Sequence, residues 1–254
     1  MTGFEGKVAV VTGASSGIGE YLGNRFYENG AYISVCSRSL ERVRKAVSGY
    51  ADPDDPHILC VEADMTRRED IARFVSETLS AFGRIDILVN NAGLSHPKPT
   101  VSVSEADFSV TVGTKLFGYF FMCQEVVHSM LEREIQGTIV NIGSVQSATV
   151  IPGQAVYASV NAGIVQMTRS LAREWGKAGI RVNCVAPGSI HTPENAARYS
   201  DPEVERAMCE KLPLGYRGYV SQIADAVDFL TCEKSSYITG QTLYVDGGLS
   251  LVQG

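Results

Sequence analysis

The sequence predicts an α/β fold: a doubly wound, seven-stranded, mainly parallel sheet with helices on both faces. Three observations carry that expectation. Short apolar runs rich in β-branched residues alternate with longer helical patterns, the alternation continues along nearly the whole chain, and the first run passes through a glycine-rich turn into the first helix. Strands covered on both faces read as near-continuous apolar segments, and helical crossovers between them keep neighbouring strands parallel.

Taken in order, the strands are expected at 7–12, 31–37, 57–62, 86–90, 137–142, 180–185 and 242–245, and the helices near 17–29, 39–48, 67–82, 104–134, 154–178 and 220–232. The alternation breaks at 188–219, where Pro193, Pro202, Pro213, Gly215 and Gly218 fall close together. That stretch reads either as a lid over a substrate site or as a long surface loop with one short helix. No internal repeat or low-complexity tract interrupts the pattern. A chain of 254 residues lies within the range of one α/β domain, so 1–254 is expected to form a single domain.

Composition narrows the function. Hydrophobic residues make up 44% and charged residues 20%, which is ordinary globular usage. A formal net charge of -6 gives no basic field to gather a polyanion, so nucleic acid is not an expected partner and a small molecule is. The six cysteines are widely spaced without a Cys-x-x-Cys pair and read as reduced, mostly core residues. The first apolar run begins at Val8, which leaves no room for a signal peptide, and no apolar stretch approaches the roughly 18 residues of a membrane span. A soluble, cytoplasmic protein is the expectation. The four histidines belong to separate segments, so no metal site is expected.

The turn after the first strand reads Thr12-Gly13-Ala14-Ser15-Ser16-Gly17-Ile18-Gly19. Glycine lets backbone approach a pyrophosphate closely, and the free amides of a helix N-terminus favour its negative charge. A glycine trio alone would also suit any tight turn; between a buried strand and a βα series it points to a dinucleotide. At the end of the second strand, Val35-Cys36-Ser37-Arg38 offers no acid to accept from ribose hydroxyls. Ser37 stands in that place and Arg38 presents a guanidinium, so NADP(H) is expected over NAD(H) unless Arg38 simply begins the next helix in solvent.

Gly13-x-x-x-Gly17-x-Gly19, Asn90-Asn91-Ala92-Gly93, Ser144, Tyr157 and Pro187-Gly188 together resemble, in order and over essentially the whole chain, the short-chain dehydrogenase/reductase family. The resemblance implies a Rossmann fold and carbonyl–alcohol interconversion with a nicotinamide cofactor. It implies a cofactor site of Gly13, Ser15, Ser16, Gly17, Ile18, Gly19, Ser37, Arg38, Asp64, Met65, Asn91, Ala92, Gly93, Tyr157, Asn161, Pro187, Gly188, Ile190 and Thr192, with Asp64 at the adenine, Asn90 and Gly93 supporting the cofactor floor and Thr192 at the carboxamide. It also implies that Ser144 polarises the substrate oxygen while Tyr157 serves as acid or base. A homodimer or homotetramer is implied as well, through the two long central helices.

Two positions depart from the family. Its lysine, one helical turn beyond the tyrosine, is here Asn161, and its asparagine on the preceding long helix is here Lys115. A free phenol has a pKa of about 10, so lowering it by two or three units requires roughly 3 to 4 kcal/mol of preferential phenolate stabilisation, which a nearby cation supplies. The pair reads as a reciprocal exchange, with the ammonium returned from the neighbouring helix. Lys115 is the only charged residue between Ser109 and Gln124, on a face with Val112, Gly118, Tyr119 and Met122. An ammonium buried there needs a polar cavity; otherwise its stem runs out to solvent. The alternatives are a nucleotide-binding regulatory or scaffold protein without turnover, or a replacement introduced at position 161, which would leave Lys115 unexplained. Ser95, His96, Gln146, Gln154 and His191 are candidate substrate-pocket positions, with an ordinary loop role the default reading for each.

Overall fold

The computed structural model describes residues 3–95 and 97–252. The chain begins with β1 (Val8–Thr12), α1 (Gly17–Glu28), β2 (Tyr32–Ser37), α2 (Leu40–Val47), β3 (Ile58–Glu62), α3 (Arg68–Phe82) and β4 (Ile87–Asn90). It continues through α4 (Glu105–Val112), α5 (Gly118–Glu132), β5 (Thr138–Ile142), α6 (Ala155–Trp175) and β6 (Arg181–Pro187). The last part comprises β7 (Ile190–His191), α7 (Pro193–Ala196), α8 (Pro202–Cys209), β8 (Gly218–Tyr219), α9 (Val220–Thr231) and β9 (Thr242–Val245).

Seven strands form one sheet in the order β3-β2-β1-β4-β5-β6-β9, and every neighbouring pair is parallel. This is the doubly wound Rossmann arrangement that the alternation predicts. The strand order reverses between β1 and β4, so the loops leaving these two strands flank a crevice at their carboxyl ends. On one face, Leu22 and Phe26 of α1, Val43 and Val47 of α2, and Ile223 and Val227 of α9 cover the strands. On the other, Ile71 and Phe74 of α3, Met122 and Val126 of α5, and Leu171 of α6 do so. Each such fully buried side chain contributes about 1.5–3 kcal/mol of transfer free energy, so the two layers fix the crevice on a rigid base.

The seven expected strands match the sheet to within two residues at each end. The continuous helix expected over 104–134 is a correction. Its apolar pattern persists, but the backbone passes through a π-helical turn, Gly113–Phe117, in which the Gly118 amide bonds to the Gly113 carbonyl five residues earlier. Gly118 packs so closely on Met65 that a Cβ there would stand 2.9 Å from the Met65 Cβ and carbonyl oxygen. The widened turn re-aims the side chains between two glycines, a geometry that recurs at functional sites. The 188–219 segment holds more order than a loop with one helix: β7 and β8 pair as a small parallel sheet around α7 and α8. No helix among the described residues is long and apolar enough to cross a membrane.

Candidate active site

The glycine-rich turn after β1 is built by close approach. Gly13 has φ 68°, and a Cβ there would meet the Ala92 Cα at 2.7 Å. Thr12 Oγ1 accepts from the backbone amides of Asn91 and Ala92 at 3.0 and 3.1 Å, and the Asn91 side-chain amide donates to the Thr12 and Gly13 carbonyls at 3.0 Å each. These bonds lock the loops after β1 and β4 together across the crevice. Ser16 caps α1 without turning its hydroxyl to the helix's own amides, and Gly17 follows with φ 59°. Ser15 and Ile18 lie half-buried in the same turn. The Ser16 side chain therefore leaves the first amides of α1 uncapped toward the crevice, an arrangement that favours an anionic group there.

At the β2 end of the crevice, Ser37 is buried and its hydroxyl donates to the Ser39 carbonyl at 2.8 Å, while Arg38 is exposed. Asp64 Oδ1 accepts from the Thr66 amide and hydroxyl at 2.9 and 2.8 Å, which shapes the turn into α3 beside the buried Met65. Asn90 points into the sheet: its amide donates to Asn141 Oδ1 at 2.9 Å, so it ties β4 to β5. Gly188 continues the β6 end, donating to the Val245 carbonyl at 3.0 Å; a Cβ there would fall 2.5 Å from the Asp246 Cα. Ile190 is buried behind it, and Thr192 caps α7.

Ser144 lies two residues beyond β5, at the cap of a short 3-10 turn, and is 8% exposed; its oxygen accepts from the Gln146 amide at 3.2 Å, which leaves the hydroxyl proton free to donate outward. Tyr157 lies in the first turn of α6, half-buried. The short 3-10 turn that follows Ser144 packs against this helix. Gln154, just before α6, is buried and accepts from the Ser95 hydroxyl at 2.8 Å, and the Gln146 Oε1 is buried without a partner among the described residues. His96 lies outside the described residues.

Lys115 is 3% exposed, so its stem does not run out to solvent. From the π turn it lies over Gly93, where a Cβ would come within 3.1–3.2 Å of its Cδ, Cγ and Nζ. Its ammonium donates to the Ile142 carbonyl at 3.0 Å and sits 5.3 Å from the Tyr119 ring centroid and 5.5 Å from that of Tyr157. A carbonyl and two aromatic faces thus replace part of the lost hydration. Tyr119 donates to the same Ile142 carbonyl at 3.1 Å, and burial, with the neighbouring Tyr157, pushes its phenol well above the ordinary value. Burial pushes the Cys184 thiol up to about 11 against the pull of the Lys115 charge. Asn161 is fully buried; its amide donates to the Tyr157 carbonyl at 2.8 Å, and its Oδ1 has no partner among the described residues.

The 188–219 segment is organised by a residue that the sequence did not single out. Arg217 is 1% exposed and donates to Ser189 Oγ, the Ile190 carbonyl, Asn195 Oδ1 and Glu205 Oε2, each at 2.9 Å, with the Tyr199 ring 3.6 Å from its guanidinium carbon. His191 is drawn into this cage, 3.3 Å from Arg217, and stacks on Tyr219. An arginine in a polar, proline-rich stretch looks solvated in one dimension; only the folded partners reveal it.

A glycine-built cradle, a helix N-terminus facing it and an orphaned amide oxygen beside a tyrosine fit a nicotinamide dinucleotide. The fold and crevice thus define a dinucleotide-binding oxidoreductase. Comparison narrows the class. A family model described as enoyl-(acyl carrier protein) reductase matches residues 13–250. Glucose 1-dehydrogenase of Gluconobacter oxydans is 39% identical over 251 residues, 98% of this chain and 93% of that one. A gluconate 5-dehydrogenase from Burkholderia cenocepacia, solved with NADP and tartrate, superposes with a TM-score of 0.89 at 31% identity, covering 99% of this chain and 98% of the other. A 3-ketoacyl-(acyl-carrier-protein) reductase from Brucella melitensis, solved with NADH, gives 0.88 at 31% identity over 97% and 99%. The chain belongs to the short-chain dehydrogenase/reductase family of oxidoreductases, which interconvert carbonyls and alcohols with nicotinamide cofactors.

Proposed function

We propose that this protein is an NADP(H)-preferring oxidoreductase acting on a small carbonyl compound or secondary alcohol, in which Lys115 supplies the cation that the family ordinarily takes from the position of Asn161. The observation that carries the proposal is the buried Lys115 ammonium 5.5 Å from the Tyr157 ring, held over Gly93. An ammonium that costly to bury has a use where negative charge develops.

When bound, the nicotinamide supplies or accepts the hydride. Ser144, its oxygen already hydrogen-bonded to the Gln146 amide, donates to the substrate oxygen. Tyr157 protonates that oxygen in reduction and removes its proton in oxidation. Lys115 stabilises the charge left on the phenol oxygen, and Asn161 Oδ1, otherwise orphaned, accepts from a ribose hydroxyl. The phosphate loop Gly13–Gly19 with Ser15, Ser16 and Ile18 holds the diphosphate. Asp64 and Met65 line the adenine side, Asn91 to Gly93 form the floor, and Pro187, Gly188, Ile190 and Thr192 hold the nicotinamide end.

The exposed guanidinium of Arg38 beside the buried Ser37 supports binding of a 2'-phosphate. The 188–219 segment closes over the substrate, the working form is a homodimer or homotetramer, and six unpaired cysteines agree with a cytoplasmic location. The test is oxidation of NADPH and NADH by the purified protein across ketones, aldehydes and hydroxylated carbonyl compounds. Turnover with an NADPH preference that Arg38→Leu abolishes is the expected result. Equal dissociation constants for NADH and NADPH would refute the cofactor preference. Tight NADPH binding without turnover on any substrate would replace the enzyme with a noncatalytic nucleotide-binding protein.

A further inference from the structure

The first turn of the 188–219 segment carries an acid that the proposed chemistry does not use. Glu194 is the second residue of α7, and its carboxylate reaches the phosphate loop. Oε1 accepts from the Ser16 hydroxyl, and Oε2 lies 3.1 Å from where a Cβ on Gly17 would stand. Ser16 is the cap of α1 and Gly17 its first residue. The Ser16 hydroxyl, which at a helix cap ordinarily accepts from the helix's own amides, instead donates outward to this carboxylate. The space left free by the missing Gly17 side chain, at the positive end of a twelve-residue helix, is filled by an anionic group of the protein itself.

The charges facing Glu194 define its state. Burial acts to raise its carboxyl, but the Ser16 hydroxyl, its own backbone amide, Thr192 and the charge of Arg42 from α2 outweigh that and hold it below the ordinary value. Glu20, one turn along α1, is the like-charged neighbour; burial and the Glu194 charge both raise it. Glu194 therefore stands as a carboxylate at neutral pH. A phosphate group and a carboxylate cannot share one subsite without like-charge repulsion.

We propose that Glu194 is an internal competitor of the cofactor's diphosphate: its carboxylate occupies the phosphate subsite of the cofactor-free protein, ties the 188–219 segment to α1, and is expelled when nucleotide binds. The inference rests on the reading of the phosphate loop as the cofactor site. Asn195 stays pinned to Arg217 at 2.9 Å, so the Glu194 side chain swings without unfolding the segment around it. Cofactor entry and the position of Thr192, two residues before Glu194, are thereby coupled.

The experiment titrates NADPH and NADH separately into the wild type, Glu194→Gln and Glu194→Ala, following the fluorescence of bound reduced nicotinamide, with thermal melting of each cofactor-free protein as the check on folding. Both variants are expected to bind both nucleotides at least about tenfold more tightly, since the diphosphate is common to the two. Equal affinities in all three proteins would overturn the latch and leave the cofactor site standing. Weaker binding by the variants would overturn it and make Glu194 a cofactor ligand. A gain confined to NADPH would overturn it by implicating the 2'-phosphate, and absence of binding in all three would overturn both the latch and the cofactor reading.

Discussion

Replacing Lys115 with methionine removes one charge and little volume, which makes it the sharpest probe of the proposed exchange. The ammonium lies 5.5 Å from the Tyr157 ring centroid. For a phenolate charge spread over that ring, and an effective dielectric constant of about 20, a unit positive charge at this distance from the ring centre is worth roughly 3 kcal/mol. Spent on the transition state, this is a factor of about a hundred in rate. Packing should survive, because the methionine stem can rest on Gly93 and the Ile142 carbonyl keeps the Tyr119 hydroxyl at 3.1 Å. Lys115→Met is therefore expected to lower kcat about a hundredfold or more while the NADPH dissociation constant and the melting temperature stay near wild type. The assay is steady-state turnover on the best substrate from the carbonyl panel, with nucleotide binding measured in parallel. Near-normal turnover would refute the reasoning. A second arm relocates the charge: Lys115→Asn combined with Asn161→Lys should recover turnover that Lys115→Asn alone loses.

Arg217→Met should strip the 188–219 segment of its buried centre and remove the hydrogen bond to Glu205 at 2.9 Å, a local cost of about 1–3 kcal/mol; trypsin should then cut at Arg198 or Arg206 faster than in the wild type. Burial pushes the Cys36 and Cys123 thiols up to about 12 and Cys184 up to about 11, so alkylation of the native protein at pH 8 should spare these three and reach all six only after denaturation, as peptide mass mapping would show. Burial also raises Asp228 to about 6 despite the ion pair with Arg25 at 3.1 Å. A carboxyl raised on folding contributes stability that is complete below its unfolded pKa and is lost as pH rises through the folded value. This group should accordingly cost about 3 kcal/mol between pH 4 and pH 6, and Asp228→Asn should flatten that part of the urea-melt stability profile.

Much of the fold was legible in one dimension because its signals are local. A parallel strand between helix layers is apolar along most of its length, so Val8–Thr12, Tyr32–Ser37 and Thr138–Ile142 stand out without any knowledge of their neighbours. Gly13, Gly17 and Gly19 mark the phosphate turn for the same reason: the strand before and the helix after are contiguous with it. The helix over 104–134 shows where this fails. Apolar spacing identifies helix, but the π turn at Gly113–Phe117 arises where Gly118 meets Met65, and Met65 belongs to a different crossover.

The sequence by itself determined the strand–helix alternation, the glycine-rich turn after the first strand, and the presence of a lysine at 115 and an asparagine at 161. The tertiary structure decided where Lys115 lies, since it meets Ile142, Gly93 and the ring of Tyr157 only after β4, β5 and α6 have been laid side by side. It also decided that Arg217 is a buried centre rather than a surface charge, and that Glu194 lies against Ser16, 178 positions away. The physical reason is the same in each case. Backbone preference and hydrophobic period act over a few residues, whereas the energy of a charge depends on which distant groups the fold brings within a few ångströms of it.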